Sequence, residues 1–134
     1  MTTFAALIAT GLCCPPAAAR KVDAAGVPII IGGAVSTAAC PGGGEVVGLD
    51  PQGDNFLSVR SGPGGGEFSE LDRIHTGQHL KICDMRGPWF AIVYDPGGDT
   101  DSCDVDRPWA VRQAYTGSCR QGWVFSRYVN VTVR

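Results

Sequence analysis

The stretch Leu57-Ser58-Val59-Arg60-Ser61-Gly62-Pro63-Gly64-Gly65-Gly66 decides how the chain is read. Its first half alternates. Leu57 and Val59 fall on one face and Ser58 and Arg60 on the other, the period-two pattern of a half-buried strand. Its second half is a reversal, with Gly62 and Gly64 flanking Pro63. A strand ended so abruptly predicts short strands joined by tight turns.

The flanks repeat the pattern. Residues 45–49 are strand-like, and Asp50-Pro51-Gln52-Gly53-Asp54 is a turn cluster. Phe68, Leu71 and Ile74 lie at spacing three, which leaves a helical turn and an irregular strand both open. Residues 79–83 alternate, with Leu80 and Ile82 on one face. Arg86-Gly87-Pro88 is a turn, and 89–94 is the strongest strand in the chain. A polar stretch occupies 95–121, and 122–125 and 129–133 are the last strands. The expected fold is all-β, a small barrel of five to six short strands with a long insert before the penultimate one. Closing a sheet removes its exposed edges. Trp89 and Trp123 supply large apolar area to so small a core.

Composition agrees. Gly and Pro number 19 and 9 in 134 residues, which argues against a helical bundle. Hydrophobic residues make up 44% and charged residues 18%, enough apolar material for a core. A net charge of −2 gives no general attraction to nucleic acid or anionic membranes. A coiled coil, a collagen-like fibre, a multi-span membrane protein and a basic nucleic-acid binder are excluded.

Residues 1–19 read as a secretory signal peptide. The 11 basic and 13 acidic side chains all lie at or after Arg20. An apolar run over 4–14, too short to span a bilayer, leads into Pro15-Pro16-Ala17-Ala18-Ala19 and a small-residue cleavage site. Met1-Thr2-Thr3 lacks the usual basic side chain. Cleavage leaves Cys40, Cys83, Cys103 and Cys119, and an even number in an oxidising compartment suggests two disulfides. Four cysteines allow three pairings. The short Cys103–Cys119 loop is preferred, which leaves Cys40 with Cys83. Residues 20–44 are a lead-in. Its run Val27-Pro28-Ile29-Ile30-Ile31 reads equally as an edge strand or as part of a flexible leader tethered through Cys40.

The order of motifs over 45–134 resembles the bacterial SH3-like (SH3b) domain family. Leu57 to Gly64 is similar to its L-x-V-R-x-G-P signature, and Arg60 in such a motif is expected to be structural, pinning a long loop through backbone carbonyls. Gly77-Gln78-His79-Leu80-Lys81-Ile82, Trp89-Phe90-Ala91-Ile92-Val93, Gly122-Trp123-Val124 and Tyr128-Val129 follow in the family's order. The departure is 95–121, where most members have a short turn. The resemblance implies a groove between the Asp50-to-Gly66 loop and the Asp84-to-Pro88 turn. Trp89 and Tyr128 would be its aromatic contacts and Asp84 a polar one. It also implies a ligand in the cell wall, since family members often bind wall peptides or accompany wall-cleaving enzymes. The insert should sit at the opposite end of the barrel, and Trp109, Arg112 and Tyr115 are its candidate contacts for a second recognition surface.

Catalytic and metal chemistry find little footing. There is no C-x-x-C spacing, and His75 and His79 stand apart from the cysteines. Cys83 and His79, four apart on a strand, lie about 13 Å from each other. Asp99, Asp101, Asp104 and Asp106 lack the glycine a calcium loop needs. Asn130-Val131-Thr132 matches a glycosylation sequon. Residues 107–134 hold five arginines and no acid, so the expectation is either pairing with the acidic part of the insert or an arginine face for an anionic partner. The chain is thus expected to be a secreted or periplasmic, monomeric, non-catalytic binding module without cofactor, metal or membrane span. Its expected partner is a cell-wall peptide. The rivals are a module that caps or inhibits an envelope protein, and a small enzyme.

Overall fold

The computed structural model describes residues 24–133, together with the isolated Ala5 and Gly11. The signal peptide expected over 1–19 lies outside the described residues apart from those two. Among the described residues the strands are β1 (Ile30–Ile31), β2 (Gly42–Val46), β3 (Leu57–Arg60), β4 (Glu70–Ile74), β5 (His79–Arg86), β6 (Trp89–Tyr94), β7 (Gln113–Ala114), β8 (Arg120–Phe125) and β9 (Val129–Val133). Two 3₁₀ turns, Thr100–Cys103 and Ser126–Tyr128, complete the elements.

Seven strands form one antiparallel sheet in the order β4-β3-β8-β6-β5-β2-β9, and β1 pairs with β7 in a second, two-stranded sheet. The all-β expectation is met. The barrel is corrected. There are more strands than the five to six expected, and among the described residues the main sheet does not close, because β4 and β9 stand at its two edges without a ladder between them. The spacing-three segment resolves as a strand, since Leu57 pairs with Ile74 and Val59 with Asp72.

The strand expected at 45–49 begins three residues earlier, inside a run of glycines. Gly44 needs to be glycine because of close approach. A side chain there would meet Val129 Cγ1 at 2.8 Å and the Asn130 carbonyl at 2.9 Å. Gly62 is a second such case. Its φ is not positive, and what excludes a side chain is the Phe68 ring lying against it. The glycines of the motif therefore serve packing as well as reversal. Arg60 behaves as expected, its Nη1 donating to the Phe68 carbonyl at 3.0 Å.

The main sheet is buried on both faces, which explains the unbroken apolar run of β6. Ile92 and Tyr94 join Val46, Leu57, Val59, Ile74, Leu80, Val124 and Val129, so every strand of the sheet contributes to one cluster. A sheet that sends a residue from each of seven strands into one cluster must curl around it. Ala91 and Val93 point the other way, to a second cluster with Trp123. That cluster is built from the lead-in (Ile29, Ile31, Cys40) and the insert (Cys103, Val105, Tyr115). Trp123 is 1% exposed, and its indole N–H donates to the Val27 carbonyl at 2.9 Å.

Within the lead-in, Ile30–Ile31 forms a two-residue strand paired with Gln113–Ala114. Backbone bonds from Cys40 to Val105 (3.0 Å), Ala39 to Arg107 (2.9 Å) and Tyr115 to Ile29 (2.9 Å) join the lead-in to the insert. The disulfides are Cys40–Cys83 and Cys103–Cys119, the preferred pairing. Among the described residues no helix is long and apolar enough to cross a membrane.

Candidate functional site

A cavity of about 670 Å³ opens at one end of the β6–β8 ladder. Its aromatic wall follows from register. Trp89 begins β6, Phe125 ends β8, and the two are paired across the ladder. Their rings meet edge-on, 5.5 Å apart at 62°. The Ser126–Tyr128 turn then carries Tyr128 to within 6.2 Å of Phe125. That turn is anchored by the Ser126 N–H on the Pro88 carbonyl (2.8 Å), while the Val47 N–H donates to the Tyr128 carbonyl (2.9 Å). Phe56 completes the wall, its ring covered by the Arg73 guanidinium at 4.0 Å.

Four charged residues line the same cavity: Asp50, Asp54, Arg60 and Arg127. Among the described residues none of the four forms an ion pair. Asp50 Oδ1 accepts the Gln52 N–H at 2.9 Å, which fixes the loop between β2 and β3. Arg127 lies 6.0 Å from the Tyr128 ring centre.

A second cavity, of about 590 Å³, opens at the other end of the ladder, where Tyr94 pairs with Arg120. Five residue steps separate the two ends, about 17 Å. The floor here is a polar network. Tyr94 donates its hydroxyl to Asp72 Oδ2 at 2.7 Å, and Arg120 Nη1 donates to the same oxygen at 3.0 Å. Burial, then the bond to Asp72, pushes the Tyr94 phenol well above its ordinary value. Burial works to raise the Asp72 carboxyl. Bonds from the Tyr94 hydroxyl, the Arg73 backbone N–H and Arg120 outweigh it and hold the group below its ordinary value.

Of the residues expected in the groove, Trp89 and Tyr128 come together and Asp84 does not. Asp84 sits exposed on β5, 3.7 Å from Arg86. Phe56, Asp54, Phe125 and Arg127 were missed by sequence reasoning. Phe125 carried a signal, since it repeats the Trp123 face two residues later, where the strand leaves the core.

The contacts expected on the insert divide differently. Tyr115 is 3% exposed and is no surface contact. Its hydroxyl donates to the Cys103 carbonyl at 2.9 Å and accepts the Cys119 N–H at 3.2 Å. Trp109 lies 5.9 Å from the Tyr115 ring and donates its indole N–H to the Asp104 carbonyl at 2.7 Å. Arg112 is exposed. Arg107 pairs with Asp104 at 2.7 Å and Arg120 with Asp72 at 3.0 Å, while Lys81 of β5 reaches Asp106 at 2.6 Å. Internal pairing thus occupies two of the five late arginines, and Arg134 lies outside the described residues.

His75 and His79 are exposed, and His75 Nδ1 lies 3.0 Å from the Asn55 carbonyl. Among the described residues no group of three or more histidine, cysteine or acidic side chains is placed to hold a metal ion. Compared with known proteins, the chain matches no family model, no curated protein and no solved structure.

Proposed function

We propose that the chain is an exported, non-catalytic SH3-like binding module that recognises a cell-wall peptide or another envelope component. The observation that carries this reading is the groove of Trp89, Phe125 and Tyr128. Ligand sites of a few hundred Å³ with aromatic walls and a few convergent polar groups are the usual form of a recognition pocket. The motif order supports the SH3-like assignment. The L-x-V-R strand is β3, the Trp-led strand is β6 and the G-W-V strand is β8. The two disulfides support an oxidising compartment.

The test is sedimentation of oxidised protein spanning 20–134 with purified peptidoglycan. The protein is expected in the pellet. The pair Trp89→Ala and Tyr128→Ala is expected to leave it in the supernatant while keeping a cooperative thermal transition. Wild-type protein that stays in the supernatant and co-purifies with one envelope protein overturns the wall-binding reading in favour of a capping role.

A further inference from the structure

We infer that the groove selects a zwitterion, a ligand presenting a free ammonium and a free carboxylate, rather than a neutral glycan or a polyanion. The inference rests on the binding-module reading above and specifies the ligand of that site. Among the described residues, five acidic side chains outside the groove, Glu70, Asp72, Asp84, Asp104 and Asp106, each hold a basic partner, whereas Glu45, Glu67, Asp95, Asp99 and Asp101 do not. The four charges of the groove are left out of that scheme. Asp50 and Asp54 come from the loop between β2 and β3, Arg60 from the end of β3, and Arg127 from the turn before β9.

Two carboxylates and two guanidiniums in one cavity balance to no net charge. That balance disfavours a polyanion, which needs cations in excess. It also disfavours a neutral sugar, whose binding would cover charges it cannot pair. A zwitterion satisfies both signs at once. Trp89 and Phe125 line the same cavity as the four charges, and aromatic rings suit an ammonium or its aliphatic neighbours. Arg60 already holds the Phe68 carbonyl, and its field reaches Glu70. The carboxylate clamp is therefore assigned chiefly to Arg127, and the ammonium clamp to Asp50 and Asp54.

The experiment titrates isotope-labelled oxidised protein with tetra-alanine, following the Trp89 indole and the Phe125 amide by NMR. Parallel titrations use its N-acetylated, C-amidated and doubly capped forms, an N-acetylglucosamine tetramer and inorganic polyphosphate. Each single cap is expected to weaken binding about tenfold, between the worth of an exposed ion pair and that of a charged hydrogen bond. Arg127→Gln should remove the penalty of amidation and keep that of acetylation. Asp50→Asn with Asp54→Asn should do the reverse, and Asn at position 50 retains an acceptor for the Gln52 N–H.

Equal binding of all four peptides, or stronger shifts from the sugar or the polyphosphate, overturns the zwitterion. If peptidoglycan still sediments the protein, the binding-module reading stands without it. Absence of both sedimentation and peptide shifts overturns the two together.

Discussion

Replacing Tyr115 by Phe removes one oxygen from the insert and tests what the insert is for. That oxygen is the meeting point of two backbone groups. It donates to the Cys103 carbonyl at 2.9 Å and accepts the Cys119 N–H at 3.2 Å, so it spans the same two residues that the disulfide joins. The ring stays and no cavity opens, so the cost is confined to polar groups that lose their partner. Cys103 is fully buried, and its carbonyl loses a partner no water can replace. Cys119 is half-buried, and its N–H recovers part of its loss from solvent. A buried unsatisfied group costs about 1–3 kcal/mol, and we take about 2 kcal/mol for the pair. In a domain of this size that lowers Tm by about 8 °C. The assay is thermal and urea unfolding of the oxidised variant, alongside peptidoglycan sedimentation. Lost stability with unchanged capture is the expected result. A Tm within about 1 °C of wild type, or intact folding with lost capture, refutes the argument and returns Tyr115 to a recognition surface.

Removing the Cys103–Cys119 bridge by a double Ala substitution opens a loop of 16 residues' separation and should cost about 3 kcal/mol, read as a lower urea midpoint. Gly62→Ala drives a methyl into the Phe68 ring and should cost about 1–3 kcal/mol, with Gly65→Ala, which has only a distant neighbour, as the mild control. Stability against pH should fall on both sides. Asp72 has its folded pKa below the unfolded value of about 4, so its contribution holds above that pH and is lost on acidification; Asp72→Asn should flatten the acid limb of the urea midpoint. Tyr94 has its folded pKa above the unfolded value of about 10, so its contribution holds below that pH and is lost as pH rises further; Tyr94→Phe should flatten the alkaline limb.

Strands with a clear apolar rhythm were legible in the sequence. Leu57 to Arg60, Trp89 to Tyr94 and Gly122 to Phe125 all lie where their patterning puts them, because alternation reports burial directly. The glycine run at 42–44 was not legible. Glycine normally marks a turn, but here β2 is squeezed between β5 and β9, and small residues let the neighbours approach. The insert misled for a different reason. Its surface is polar, yet Cys103, Val105 and Tyr115 are each a single apolar point that becomes a core only when Ile29 and Ile31 arrive from far away in sequence. No local window contains that information. The groove was half legible, since Trp89 and Tyr128 belong to recognisable motifs while Arg127 and Asp54 are ordinary surface residues until the chain folds.

The connectivity of the two bridges has a consequence for biogenesis. Cys40 joins Cys83, and Cys103 joins Cys119, so these four of the chain's six cysteines pair in the order in which they occur. A chain threaded through a channel amino end first presents Cys40 and Cys83 before either of the others has emerged. Once the proposed leader, which carries Cys13 and Cys14, is removed, the first oxidation available is the native one, and the second follows from the two thiols that remain. If the chain is exported as proposed above, simple oxidant donation is expected to give its native bridges without an isomerase to shuffle them.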